Sequence, residues 1–258
     1  MSPKSGETSA AKATDESKKD SNTTKEEKNG KKEESKEEEL SEEDKQLKEE
    51  LELCVTRLQE DDKTLYSGAL ESLRKLIRAS TTSMTSVPKP LKFMIPHYET
   101  MKGVFEKLEA NTTTKKDCAD IVSILSMTMS DKNDCLKYKL LGNSDKGNIE
   151  AWGHEYIRHL AGEIVSEWNS IDTGDKEAPE DGNEVEMTDN EAKENLLMMV
   201  KEIVPSQMKH HAESEACDLL MEIERLDLLD EHVDKNSFGR VCLYLTRYFF
   251  YCMSIYKI

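Results

Sequence analysis

Three kinds of signal are missing from this sequence, and each absence argues against a class of protein. The GxSxG, GxGxxG and GxxxxGKS/T motifs do not occur, so signatures of α/β-hydrolases, dinucleotide-binding proteins and P-loop NTPases are lacking. No early apolar stretch has the form of a signal peptide, so we expect no secretion by that route. The net charge is −17, with 53 acidic against 36 basic side chains. This balance argues against binding to nucleic acid or to anionic membrane surfaces.

Cysteine is sparse and shows no paired spacing. The six cysteines form no CxxC motif and lie at positions 54, 118, 135, 217, 242 and 252. Zinc sites and short disulfide frameworks use closer or repeated spacings. In a chain without a secretory signal, this pattern predicts reduced, mostly buried thiols of an intracellular protein.

Apolar residues are nearly missing from the start of the chain and from one internal segment. Between Met1 and Glu39 the apolar side chains are one methionine and three alanines. The range 171–190 holds eight acids against the single Lys176. Neither stretch buries enough apolar surface to offset the entropy cost of ordering. We therefore predict a disordered charged tail over 1–40 and an acidic disordered linker over 171–190.

The remaining residues show the apolar spacing of α-helices. Apolar side chains recur at steps of three and four through 41–170 and again through 191–246, without the alternation typical of strands. Pro96 suits the first position of a helix, and Gly142 suits the position just after one. The predicted fold class is all-α, an irregular, solenoid-like array of antiparallel helix pairs. The predicted helices cover approximately 41–58, 66–77, 96–108, 115–130, 136–141, 147–169, 188–205, 212–226 and 237–258.

Two short motifs predict helix starts. Ser41-Glu-Glu-Asp44 and Thr188-x-x-Glu191 each place a hydroxyl three residues before an acid, as in N-caps and capping boxes. The same spacing resembles an acid-directed phosphorylation site, and a phosphate would be favourable at a helix N-terminus. Because capping alone accounts for both spacings, phosphorylation of Ser41 or Thr188 stays open.

The histidines are the candidates for metal chemistry. His154 and His159 are five residues apart, which places their imidazoles about 140° apart on a helix, whereas a zinc-binding helix pairs histidines four apart. His210 and His211 are adjacent and point to different sides, and Cys217 follows six residues later. We interpret both groups as structural and predict no catalytic, cofactor-binding or metal-ligating residue and no cofactor. A metal-dependent hydrolase built on these helices is one alternative.

Several long segments closely resemble one family. They are "SEEDKQLKEELELCVTRL" (41–58), "STTSMTSVPKPLKF" (80–93), "AWGHEYIRHLAGEIVSEW" (151–168), "VKEIVP" (200–205), "AESEACDLLMEIE" (212–224) and "VCLYLT" (241–246). In this order they resemble the N-terminal region of the 26S proteasome non-ATPase regulatory subunit 2 family. The resemblance covers about residues 40–246.

The resemblance implies a non-catalytic scaffold in the base of the proteasome regulatory particle, supporting ubiquitin-dependent protein degradation. It implies regulatory-particle ATPase subunits as partners and a cytoplasmic and nuclear location. In that family, ubiquitin and shuttle receptors dock on a toroid of proteasome/cyclosome repeats, which this sequence does not contain. We therefore expect no docking of ubiquitin or shuttle receptors. From the acidic charge balance we expect neither nucleic acid nor a membrane as a partner, and the residues that bind partners stay unknown.

The last residues, 247–258, depart from the resembling pattern and are rich in aromatic side chains. They are too few to span a bilayer. We expect either a truncated form of the longer family chain or a short paralogue. Truncation predicts that a helix near 237–258 leaves an apolar patch exposed and promotes self-association. The second alternative function is a free-standing adaptor that binds basic partners through the acidic ranges 1–40 and 172–190, with strong salt dependence.

Overall fold

The computed structural model describes residues 40–80, 88–129, 134–142, 149–174 and 188–256, with side chains described up to residue 250. The predicted tail and most of the predicted acidic linker lie outside these ranges. Within them the chain forms ten α-helices and no strand, which confirms the all-α prediction. The helices are α1 (Glu42–Arg57), α2 (Thr64–Ser80), α3 (Lys89–Met94), α4 (Tyr98–Lys107), α5 (Thr113–Ser126), α6 (Asp134–Leu141), α7 (His154–Thr173), α8 (Asp189–Lys209), α9 (Glu213–Glu222) and α10 (Phe238–Tyr256). The short 3-10 turns are Ile95–His97, Ile149–Trp152 and Leu226–Leu229.

Most helices pack against helices that are close in the chain. α1 packs on α2 and α3, α7 on α6, α8 and α9, and α9 on α10. α5 is the central helix of the first part, because it contacts α2, α4 and α6 and every residue from Asp117 to Ser126 is buried. A helix enclosed in this way must find partners for its polar side chains inside the protein.

Two acids of α5 meet buried cations from the neighbouring helices. Nη2 of Arg74 in α2 lies 3.1 Å from both Asp117 Oδ1 and Asp120 Oδ2. Nζ of Lys139 in α6 lies 3.8 Å from Asp120 Oδ1. We call these four residues the Arg74 cluster, and each is at most 9% exposed. Because a buried charge is costly unless it is paired, the cluster holds α2, α5 and α6 in one arrangement.

Trp152 packs against the Arg74 cluster at the end of its 3-10 turn. Its ring centroid lies 5.9 Å from Cζ of Arg74 and 4.8 Å from Cζ of Arg78, which are cation–π distances. Gly142 approaches the cluster from the end of α6, and a Cβ added there would collide with the Asp120 carboxylate. The predicted stop of α6 at Gly142 is confirmed, and this close approach gives a second reason for a glycine at that position.

Further buried hydrogen bonds join α5, α6 and α7. The Ser123 hydroxyl donates to the Cys135 carbonyl at 2.7 Å and lies 2.7 Å from the Tyr156 hydroxyl. The carboxylate of Glu163 in α7 accepts from the backbone N–H of Leu136 in α6 at 2.6 Å. These bonds extend the ordered polar interior from the first half of the array to α7.

The predicted helix over 147–169 is wrong in its bounds. Gly153 has φ 90, a left-handed conformation that L-residues with a side chain rarely adopt, and it separates the 3-10 turn from α7. α7 then continues past Asn169 to Thr173, and Ile171 is buried in the core. The first residues of the predicted linker are therefore helical.

Three further predictions of local structure are wrong. α8 does not end near Pro205 but continues to Lys209, because the next three residues are buried and their packing offsets the missing hydrogen bond. Pro96 lies in a 3-10 turn that precedes α4, and α3, with Pro90 in its first turn, was not predicted. Leu226 begins a 3-10 turn and is 40% exposed, so it does not extend the apolar stripe of α9.

Both predicted N-caps form. Ser41 Oγ accepts from the backbone N–H of Asp44 at 3.2 Å. Thr188 Oγ1 accepts from the N–H of Glu191 at 3.3 Å, and Glu191 Oε2 accepts in return from the N–H of Thr188 at 3.0 Å. The capping box of α8 is therefore confirmed. The hydrogen bond from the Thr188 backbone holds the pKa of Glu191 below its ordinary value.

Replacing Thr188 by Ala is expected to lower the free energy of unfolding by about 1 kcal/mol, since a helix N–H loses its acceptor. Thr188→Ser keeps the hydroxyl and is the matched control, with stability close to that of the unchanged chain. Because the pKa of Glu191 is lowered in the folded state, the carboxylate contribution is present above its unfolded pKa. This stabilising contribution of the Glu191 carboxylate is lost as the pH falls below about 4. Urea unfolding followed by circular dichroism at pH 7 and pH 3.5 measures both effects, and equal midpoints for the Ala and Ser variants would contradict the cap.

Candidate interaction surface

α10 starts at a reciprocal pair of hydrogen bonds. The backbone N–H of Ser237 donates to Asp234 Oδ1 at 2.7 Å, and the N–H of Asp234 donates to Ser237 Oγ at 2.9 Å. The bond from the Ser237 backbone, followed by one from the Ser237 hydroxyl to Asp234 Oδ1 at 2.8 Å, lowers the pKa of the Asp234 carboxyl. The turn therefore fixes the direction in which α10 leaves the rest of the array, and it agrees with the predicted helix start near Ser237.

One side of α10 is held on α9 by an ion pair, a hydrogen bond and apolar packing. Arg240 Nε donates to Glu213 Oε1 at 2.9 Å, and this bond lowers the pKa of Glu213. The Tyr244 hydroxyl donates to Asp218 Oδ1 at 2.5 Å, which raises the pKa of Tyr244 to about 12. Val241 is buried between these two contacts along the helix. The attachment of α10 therefore uses its first two turns.

The opposite side of α10 is apolar and exposed. Its most exposed apolar side chains form two rows, Phe238 with Phe249 and Leu243 with Phe250. We call these four side chains the α10 face, and each is at least 60% exposed. At about 100° per residue the two rows lie about 120° apart around the helix axis. The residues between them include the small Gly239, Cys242 and Thr246. The predicted exposed patch on the last helix is thus confirmed for the side chains that the structure describes.

Other exposed apolar residues in the described ranges are spread over several elements. The large ones are Leu53, Leu65, Ile95, Leu140, Leu141, Met198 and Leu226. None of their elements carries more than two, whereas α10 carries five when Tyr248 is included. A shallow groove of about 290 Å³ between α1 and α2 is lined in part by Leu53, Cys54 and Leu76. The α10 face is therefore the strongest candidate for an interaction surface, since large exposed apolar patches on soluble domains mark binding sites.

The two histidines of α7 have different partners. His154 Nε2 lies 3.2 Å from Glu215 Oε1 of α9, and Arg158 shares the same carboxylate oxygen at 3.0 Å. His159 Nε2 lies 3.0 Å from Glu163 Oε1 on its own helix. His154 therefore contributes to the contact between α7 and α9, whereas the carboxylate beside His159 lies on the same helix.

The second candidate group, His210, His211 and Cys217, also does not converge on one site. His210 Nε2 lies 4.0 Å from Glu150 Oε2, and His211 Nδ1 lies 3.7 Å from Glu213 Oε1. Cys217 is fully buried, and burial raises the pKa of its thiol to about 11. Within the described ranges, no three His, Cys, Asp or Glu side chains are placed to hold a metal ion together.

Cysteine reactivity should follow burial. Of the five cysteines whose side chains the structure describes, four are buried, as the sequence predicted for most of them, and Cys242 is exposed. Cys252 lies outside the residues with described side chains. Burial raises the pKa of Cys118 and of Cys135 to about 12, so almost no thiolate forms there at pH 8. We expect iodoacetamide at pH 8 to modify Cys242 in the folded protein while Cys118 and Cys135 stay unmodified, and peptide mapping measures each site. In urea the three sites should react alike, and equal labelling of Cys135 and Cys242 without urea would contradict the packing of α5 against α6.

In the part of the chain that the structure describes, no helix combines the length and apolarity needed to cross a bilayer.

The α10 face could be anticipated from the aromatic C-terminal sequence. The attachment of α10 through Arg240 and Glu213 could not, because the two residues are 27 positions apart and belong to different predicted helices.

Comparison with known proteins gives one consistent result. The family profile described as the RPN1 N-terminal domain matches residues 51–257, a range that includes nearly all of the predicted divergent end at 247–258. The 26S proteasome non-ATPase regulatory subunit 2 homolog A of Arabidopsis thaliana is 47% identical over 203 residues, which is 78% of this chain and 21% of that protein. The Dictyostelium discoideum subunit 2 is 43% identical over 208 residues, covering 80% and 21%. The Schizosaccharomyces pombe regulatory subunit rpn1 is 39% identical over 203 residues, covering 78% and 21%. The chain thus spans about a fifth of the length of these relatives, and their names describe them as regulatory subunits.

Proposed function

Because this chain belongs to the RPN1 N-terminal domain family, we propose that it is a non-catalytic helical scaffold of the 26S proteasome regulatory particle, acting in ubiquitin-dependent protein degradation. The observation that carries this proposal is the family match over 51–257, which covers nearly all of the helical array. The proposed complex is taken from the names of the relatives, which describe them as 26S proteasome regulatory subunits.

The architecture supports a role based on packing. The interior is held by paired charges and hydrogen bonds, as in the Arg74 cluster, so the array can present fixed outer surfaces. The histidines of α7 serve in contacts between and within helices. A scaffold needs a stable surface that can be covered by a partner, and the α10 face provides one.

We assign the regulatory-particle ATPases as the first partners to test and the cytoplasm and nucleus as the location. The experiment is affinity purification of the tagged full chain from its own cells, followed by mass spectrometry. Recovery of the ATPase subunits in amounts comparable to the tagged chain is the expected result. Recovery of chaperones without proteasome subunits would contradict the proposal. Imaging of the same tagged chain tests the location.

A further inference from the structure

We draw no further inference here: the strongest candidate, the shallow apolar groove between α1 and α2 beside Leu53, Cys54 and Leu76, carries none because nothing in the structure shows what covers it and the charged side chains that also line it, Glu50, Arg57 and Lys75, are of both signs.

Discussion

Replacing Asp120 by Ala is expected to lower the free energy of unfolding by about 3–5 kcal/mol. Asp120 is 1% exposed and is shared by two buried cations, Arg74 at 3.1 Å and Lys139 at 3.8 Å. Removing its carboxylate leaves Arg74 with Asp117 and leaves Lys139 buried without that acid. The cost comes mainly from the uncompensated charge and only in part from lost packing.

Urea unfolding followed by tryptophan fluorescence measures this effect, because Trp152 packs on the same cluster. Glu109→Ala is the matched control, since Glu109 pairs with Lys63 at 2.9 Å on the open surface and its loss should not shift the midpoint measurably. Asp120→Asn preserves the shape of the side chain and should still destabilise, because the negative charge is lost. A change below about 1 kcal/mol for Asp120→Ala would contradict the view that this cluster joins three helices.

Replacing Trp152 by Ala is expected to cost a similar amount, about 3–5 kcal/mol, through a different mechanism. The indole is 1% exposed and fills the space between the 3-10 turn and the Arg74 cluster. Its loss leaves a cavity and also removes the aromatic surface on which Arg78 packs at 4.8 Å. Trp152→Phe keeps an aromatic ring and should therefore cost less than Trp152→Ala.

Far-UV circular dichroism is the appropriate probe for this series, because the substitution removes one of only two tryptophans. Phe250→Ala is the control, since Phe250 is 65% exposed on the α10 face and its truncation should change the free energy of unfolding by less than about 0.5 kcal/mol. Equal losses for Trp152→Ala and Phe250→Ala would show that burial at the 3-10 turn contributes little.

The helices were predictable from sequence because their signals are local. The apolar spacing, the N-caps at Ser41 and Thr188, and the stop at Gly142 each depend on a few neighbouring residues. The errors arose where tertiary packing outweighs a local preference. A proline usually ends a helix, but the buried residues after Pro205 keep α8 helical. The predicted helix over 147–169 runs through Gly153, whose positive φ depends on the folded chain and is not indicated by the local sequence.

The polar interior could not be predicted, because its partners are far apart in the chain. Arg74 is separated from Asp117 and Asp120 by 43 and 46 positions, and no local pattern relates them. In sequence each residue resembles an ordinary charged residue on a helix surface. The α10 face was easier to anticipate, since several aromatic residues follow one another near the end of the chain. Which of them are exposed depends on the contact of Arg240 and Tyr244 with α9.

Binding of purified regulatory-particle ATPases to the immobilised full chain tests the scaffold role most directly, because that role depends on an exposed surface of the helical array. Three proteins are compared by surface plasmon resonance: the unchanged chain, Leu243→Glu/Phe249→Glu, and the control Leu53→Glu/Met198→Glu. We predict that the unchanged chain and the control bind alike and that the α10 variant binds at least about tenfold more weakly. No binding by the unchanged chain, or equal binding by all three proteins, would contradict the account.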